Sequence, residues 1–178
     1  MIAVTGGAGS GKSTVLQVLA EQGLRTLDAD RVAAEVRRDP VFRASALEAL
    51  RLSPSATVDE MRNKVHEDPA ARKRLNAALF PPIWQRIVEG KPDAVEIPLL
   101  VEAALISRFQ SVWVVVCPLE LRMARLEARL GDRAAAERLV AIQLPDRVRA
   151  AFADEILRND DSLQDVRQAA INVLARTK

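Results

Sequence analysis

Aromatic residues supply only 3% of this 178-residue chain, tyrosine is missing altogether, and cysteine and histidine occur once each. A single cysteine cannot close an internal disulfide. Cys117 ends the apolar run Val112-Trp113-Val114-Val115-Val116, where a thiol with no partner histidine reads as a small buried hydrophobe. His66 stands alone in a charged segment, which argues against a histidine metal cage and a His-dependent triad. No stretch nears the roughly 18–20 consecutive apolar residues of a membrane span. The first strand-like run begins at residue 2 with no cationic leader before it, so a cytoplasmic protein without membrane contact is expected. Nor is there a strong charge of one sign. Lys and Arg number 26 against 24 Asp and Glu, too even for a nucleic-acid footprint and compatible with basic groups beside anionic ligands.

What is present is an ordinary globular composition, 49% apolar and 28% charged, in a chain long enough for one sizeable core with insertions. Its most informative segment is Gly6-Gly7-Ala8-Gly9-Ser10-Gly11-Lys12-Ser13-Thr14, a complete G-x-x-x-x-G-K-[ST]. The apolar run Ile2-Ala3-Val4 precedes it, and Val15-Leu16-Gln17-Val18-Leu19-Ala20 follows with helical spacing. Strand, glycine loop and helix are the setting in which backbone N–H groups turn inward around phosphate oxygens. Residues Ala8, Gly9, Ser10, Gly11, Lys12, Ser13 and Thr14 are therefore the candidate ATP-binding loop. Lys12 is expected to reach the β- and γ-phosphates and Ser13 to ligate an accompanying Mg²⁺.

Strand-like runs recur at residues 2–5, 24–27, 94–97, 111–116 and 155–157, alternating with helical patterns. This implies an α/β fold of the P-loop NTPase type, a five-stranded parallel sheet flanked by helices, with ligands at the carboxyl ends of the strands. The strand over 24–27 is expected beside the loop strand. Residues 31–91 read as helices broken at Asp39-Pro40, Ser53-Pro54, Asp68-Pro69 and Pro81-Pro82, a helical substrate-binding insertion far longer than the dozen or so residues a plain crossover needs. Leu119–Arg129 and Ala134–Gln143 form an arginine-bearing hairpin, hinged at Leu130-Gly131-Asp132-Arg133, that looks like a kinase lid; alternatively Arg122 and Arg125 are a solvated face. The expected division is a core of about 1–30, 92–118 and 144–178, an insertion of about 31–91 and a lid of about 119–143.

Unusual residues gather at three strand ends. Asp30 is the candidate general base for an acceptor hydroxyl and Asp28 a residue that orients the acceptor, with a helix cap as the competing role for one of them. Glu96 interrupts an apolar strand. Its carboxylate needs either a water-bridged Mg²⁺ near Ser13 or a Lys or Arg partner. Glu102 either contacts substrate or caps a helix beginning there. Arg129, ahead of Arg138, is the cation expected to close on the transferring phosphate.

With the glycine loop, Asp28-Ala29-Asp30, Leu75-Asn76-Ala77-Ala78-Leu79-Phe80-Pro81, Ile97-Pro98-Leu99-Leu100-Val101-Glu102 and Ala153-Asp154-Glu155-Ile156 in this order, the chain resembles the dephospho-CoA kinases over nearly its whole length. The resemblance implies ATP-dependent phosphorylation of the ribose 3′-hydroxyl of dephospho-CoA, the last step of coenzyme A synthesis. It implies ATP and dephospho-CoA as partners, with no protein partner. Lys12, Asp30 and Arg129 then fall at catalytic positions, with Ser13 and Glu96 toward Mg²⁺. Asp28, Pro98, Leu99, Leu100 and Glu102 lie against the acceptor, and Asn159 near the adenine. The chain departs from the family pattern where Phe80 replaces a histidine, where Leu130-Gly131-Asp132 displaces the aspartate after the lid arginine, and where Arg158-Asn159-Asp160-Asp161 replaces D-N-x-G. The segment between Arg37 and Asp59 is also shorter than is common.

Rival readings are another small-molecule P-loop kinase, with a nucleoside monophosphate or sugar-acid acceptor, a GTPase switch, and a degenerate ATP-binding module. A switch would need N-K-x-D and D-x-x-G. Asn63-Lys64-Val65-His66 is the only approach to the first, and the second is missing.

Overall fold

Val112 to Val116 are apolar without alternation, the pattern of a strand covered on both faces. In the computed structural model, which describes residues 1–160 and 162–177, this run lies within the longest strand of a parallel sheet. Asp161 of the altered 158–161 loop falls outside the described residues. The strands are β1 (Ile2–Gly6), β2 (Thr26–Asp28), β3 (Ala94–Glu96), β4 (Ser111–Val116) and β5 (Glu155–Arg158). Helices among the described residues are α1 (Lys12–Glu21), α2 (Ala29–Val36), α3 (Pro40–Leu50), α4 (Val58–Glu67), α5 (Pro69–Glu89), α6 (Leu119–Leu130), α7 (Arg133–Ala141), α8 (Asp146–Ala150) and α9 (Leu163–Thr177).

The sheet order is β2-β3-β1-β4-β5, every neighbouring pair parallel. This corrects the expectation that the strand carrying Asp28 borders β1. β3 lies between them, because strand order depends on where each crossover docks, which local pattern does not encode. Arg25 and Asp93 fasten β2 to β3 ahead of their first pair: the Arg25 guanidinium and backbone N–H both donate to the Asp93 carboxylate, and the Asp93 N–H returns a bond to the Arg25 carbonyl. The guanidinium holds the Asp93 carboxyl down at about 2.

The chain divides into two compact units, residues 1–28 with 92–178, and residues 29–91. In the first, α1 and α9 pack on the sheet. Val4, Trp113, Val115 and Leu157 meet Val15, Val18, Leu19, Val166, Ala170 and Val173 in one cluster. Burying a Val or Leu side chain contributes about 1.5–3 kcal/mol. Ala3, Val112 and Val114, which alternate with the cluster strand residues, point to the opposite face and are buried as well.

The second unit is helical. Asp39 and Asp68 cap α3 and α5 with a proline at the start of each helix, and Thr57 with Glu60 forms a capping box on α4. Pro40 and Pro69 thus mark helix starts. The expected break at Pro81-Pro82 does not occur: α5 runs through both. Each proline removes one helical hydrogen bond and crowds the preceding turn, at about 3 kcal/mol. Contacts of α5 with α2, α3 and α4 oppose that cost, since tertiary packing overrides propensity.

Candidate active site

Gly6 closes β1, and residues 7–11 turn the chain into α1. Gly11 occupies the N-cap at φ 98°, a conformation that residues with a β-carbon seldom adopt. No side chain caps this helix, so its first N–H groups and the positive end of its dipole face outward. Beside them lies a cavity of about 220 Å³ lined by Gly9, Gly11, Lys12, Ser13, Thr14, Glu96, Arg125, Leu126 and Arg129. All but Arg125 and Leu126 were expected in the site from sequence. The Lys12 ammonium lies 3.7 Å from the Glu96 carboxylate, so Lys12 is the basic partner foreseen for Glu96.

Behind the loop is a scaffold that sequence reasoning missed. Lys12 Nζ donates to the Gly7 carbonyl at 3.2 Å, Arg122 Nε to Ala8 at 2.9 Å, Arg125 to Gly9 at 3.3 Å and Asn159 Nδ2 to Ser10 at 2.7 Å. Fixing successive carbonyls fixes the peptide planes of an anion nest. A β-carbon at Gly7 would overlap the Arg122 guanidinium and push it off its present position. Arg122 is buried and Arg125 half-buried, which corrects the solvated-face alternative. The legible signal was their spacing: Arg122, Arg125 and Arg129 share a helix face with the fully buried Leu126. Arg125 also donates to Cys117 Sγ at 3.4 Å. Burial pushes that thiol above its ordinary range despite the two arginines.

Other expected residues fare unevenly. Asn159 has no exposed surface: its amide is spent on Ser10 and Arg125, so in this conformation it braces the loop instead of facing a nucleotide. Asp28 ends β2 in register with Glu96 on β3. In the 98–102 turn Leu99 is exposed while Leu100 is fully buried, which removes the Leu100 side chain from any acceptor surface. No helix begins at Glu102, contrary to the capping alternative. Its carboxylate instead accepts from the Leu144 N–H at 3.1 Å and from the buried Arg149 at 2.8 Å. Arg138 is exposed and pairs with Asp132 at 3.5 Å, outside the lining of the loop cavity.

Asp30 is the second residue of α2 and exposed, at the head of the helical unit. Within that unit lies a larger cavity of about 570 Å³. Phe42, Ala46, Met61, Val65, Leu75 and Leu79 give it an apolar lining, and Arg37, Arg43, Arg62 and Arg72 supply cations around it, with His66 also in the lining.

A glycine loop opening off the central strand of a parallel sheet, with arginines reaching it from the helix after β4, marks a P-loop kinase. Shikimate kinase from Acinetobacter baumannii shares the fold, with a TM-score of 0.59 at 19% identity over 99% of this chain and 93% of that one. A Thermus thermophilus protein of known crystal structure matches with a TM-score of 0.82 at 32% identity, covering 99% and 97% of the two chains. The chain belongs to the dephospho-CoA kinase family, whose model matches residues 1–165. Proteins named dephospho-CoA kinase from Thiobacillus denitrificans and Geobacter metallireducens are 37% and 33% identical to it, over 93% and 96% of this chain and 89% and 93% of theirs.

Proposed function

We propose that the chain transfers the γ-phosphoryl group of ATP to the ribose 3′-hydroxyl of dephospho-CoA, giving coenzyme A and ADP. The observation that carries this reading is the cavity at the α1 N-terminus, where Lys12, Arg125 and Arg129 surround a nest of loop amides. Phosphoryl transfer asks little covalent help of a protein; alignment and charge neutralisation do most of the work. Lys12 and Arg129 hold the transferring group, and Asp30 accepts the hydroxyl proton. The exposed Ser13 hydroxyl and the Glu96 carboxylate share one cavity and are oxygen donors of the kind Mg²⁺ takes, so the residues fit that ion. Among the described residues no group of three or more His, Cys, Asp and Glu could hold a metal alone, so triphosphate oxygens and water would complete its coordination. When bound, Mg²⁺ supplies positive charge against that developing on the phosphates.

The helical unit holds the acceptor in this reading. Its cavity offers apolar surface for a pantetheine arm and guanidinium groups for a pyrophosphate, the two chemistries that dephospho-CoA combines. Arg37, Arg62 and Arg72 bind acceptor phosphates, and Asp28 and Leu99 bear on the ribose end. We place the protein in the cytoplasm; no helix among the described residues is long and apolar enough to cross a membrane.

The test is ADP release with dephospho-CoA, AMP, gluconate or shikimate as acceptor. Stimulation by dephospho-CoA alone is expected, and its absence would remove the acceptor assignment. Asp30→Asn should lower kcat by about 10²–10⁴ with substrate still bound, the usual worth of a positioned base. Near-wild-type turnover in that variant would move the base elsewhere.

A further inference from the structure

The α6–α7 hairpin holds the Ala8 residue at both its polar groups. From α6, Arg122 Nε donates to the Ala8 carbonyl at 2.9 Å; just past α7, Gln143 Oε1 accepts from the Ala8 N–H at 2.8 Å. Arg122 is itself fixed in place. It is 5% exposed, and its Nη1 donates to Asp146 Oδ1 at 3.2 Å. The same Asp146 oxygen accepts from Arg149 at 3.3 Å, and the Arg149 guanidinium reaches on to Glu102 at 2.8 Å. Arg149 has no exposed surface, and among the described residues its Nε lacks a hydrogen-bond partner, so the two carboxylates carry its burial. Charges of alternating sign, Arg122, Asp146, Arg149 and Glu102, thus lead from the phosphate loop to the turn after β3.

Burying such groups is costly, and a buried ion network often adds no stability over a well-packed apolar one. What it does supply is direction. A guanidinium clamped between a carboxylate and a carbonyl can point only one way. We propose that Arg122 is a positioning residue for the phosphate loop: aligned by Asp146, it keeps the Ala8 carbonyl turned away from the anion site, so the loop amides are preorganised before a nucleotide arrives. The role rests on the kinase reading only for its ATP-binding half and needs no particular acceptor.

The experiment is calorimetric titration of the β,γ-imido analogue of ATP with Mg²⁺ into wild type, Arg122→Met, Arg122→Lys, Asp146→Asn and the Arg122→Met/Asp146→Asn double variant. Thermal midpoints and the KM and kcat for ATP are read on the same samples. Loss of one charged hydrogen bond predicts about a tenfold rise in the analogue Kd for Arg122→Met, with a matching rise in KM and a smaller change in kcat. Arg122→Lys, which keeps a charged donor, should recover part of the affinity. Asp146→Asn should raise Kd about threefold alone and add little on top of Arg122→Met, because both changes act through one bond. A lowered midpoint with unchanged Kd and KM in the single variants would make the network merely structural and overturn the inference. Should Arg122→Met fail to fold, Asp146→Asn and Arg122→Lys decide alone. Wild-type protein that bound no analogue would sink the nucleotide reading beneath it, whereas wild-type binding with unaltered variants would sink this inference only.

Discussion

The phosphate loop and the cavity of the helical unit handle charge in opposite ways. Around the loop, the Arg122, Arg125 and Asn159 side chains are turned onto backbone carbonyls, so much of this equipment is structural and the ligand is left to main-chain amides with Lys12 and Arg129. In the helical unit the cations stand around an apolar cavity of more than twice the volume, about 570 Å³ against about 220 Å³. A triphosphate is compact and uniformly anionic, and a rigid nest suits it. A long acceptor with apolar and anionic stretches needs contact area that combines apolar surface with local positive charge.

If that contrast is functional, changes on each side should affect different kinetic constants. Lys12→Ala should have the largest effect, about 10²–10³ in kcat, as for loss of a single oxyanion-type donor, with circular dichroism unchanged. Unaltered kcat/KM would remove the loop from the chemistry. Replacing Arg62 and Arg72 together by alanine should raise the acceptor KM about tenfold and leave the ATP KM alone, each charge-assisted hydrogen bond being worth about 1.5–3 kcal/mol before solvent screening. An equal rise in both constants would show that the regions are not separable. The smallest effect concerns pH. The Asp93 carboxylate is held at about 2 in the folded state against an ordinary 3.8, so its contribution to stability is complete above pH 3.8 and disappears as pH falls through 2. Urea midpoints for Asp93→Asn should therefore converge on wild type near pH 2 and part from it at neutral pH, by less at high salt because the pair is exposed.

The two regions also differed in how far sequence revealed them. The loop was legible because its function requires fixed residue types at fixed spacing along a continuous segment. The strands were legible because both faces of the sheet are covered, which leaves uninterrupted apolar runs such as 112–116. Gln143, Asp146 and Arg149 were not, since the contacts that tie them to the site reach far along the chain, Gln143 to Ala8, Asp146 to Arg122 and Arg149 to Glu102, and no local pattern marks such pairings. The cavity of the helical unit was equally hidden. Its apolar lining looks like any helix core until the helices are docked, and Pro81-Pro82 suggested a break that packing suppresses. Leu100 and Asn159 misled for a related reason: each lies in a segment resembling a functional motif, yet burial commits both side chains to the interior.

The scarcity of aromatics leaves the molecule with a built-in pair of optical reporters. Its two tryptophans fall one to each unit: Trp113 is fully buried in β4 with its indole N–H on Ser111, and Trp84 is half-buried on α5, stacked on Phe80 with ring centroids 6.0 Å apart. With no tyrosine to contribute background, Trp84→Phe leaves an emission signal that belongs to the sheet unit alone, and Trp113→Phe one that belongs to the helices. Each half of the molecule can thus be followed in its own light as urea, nucleotide or acceptor is added.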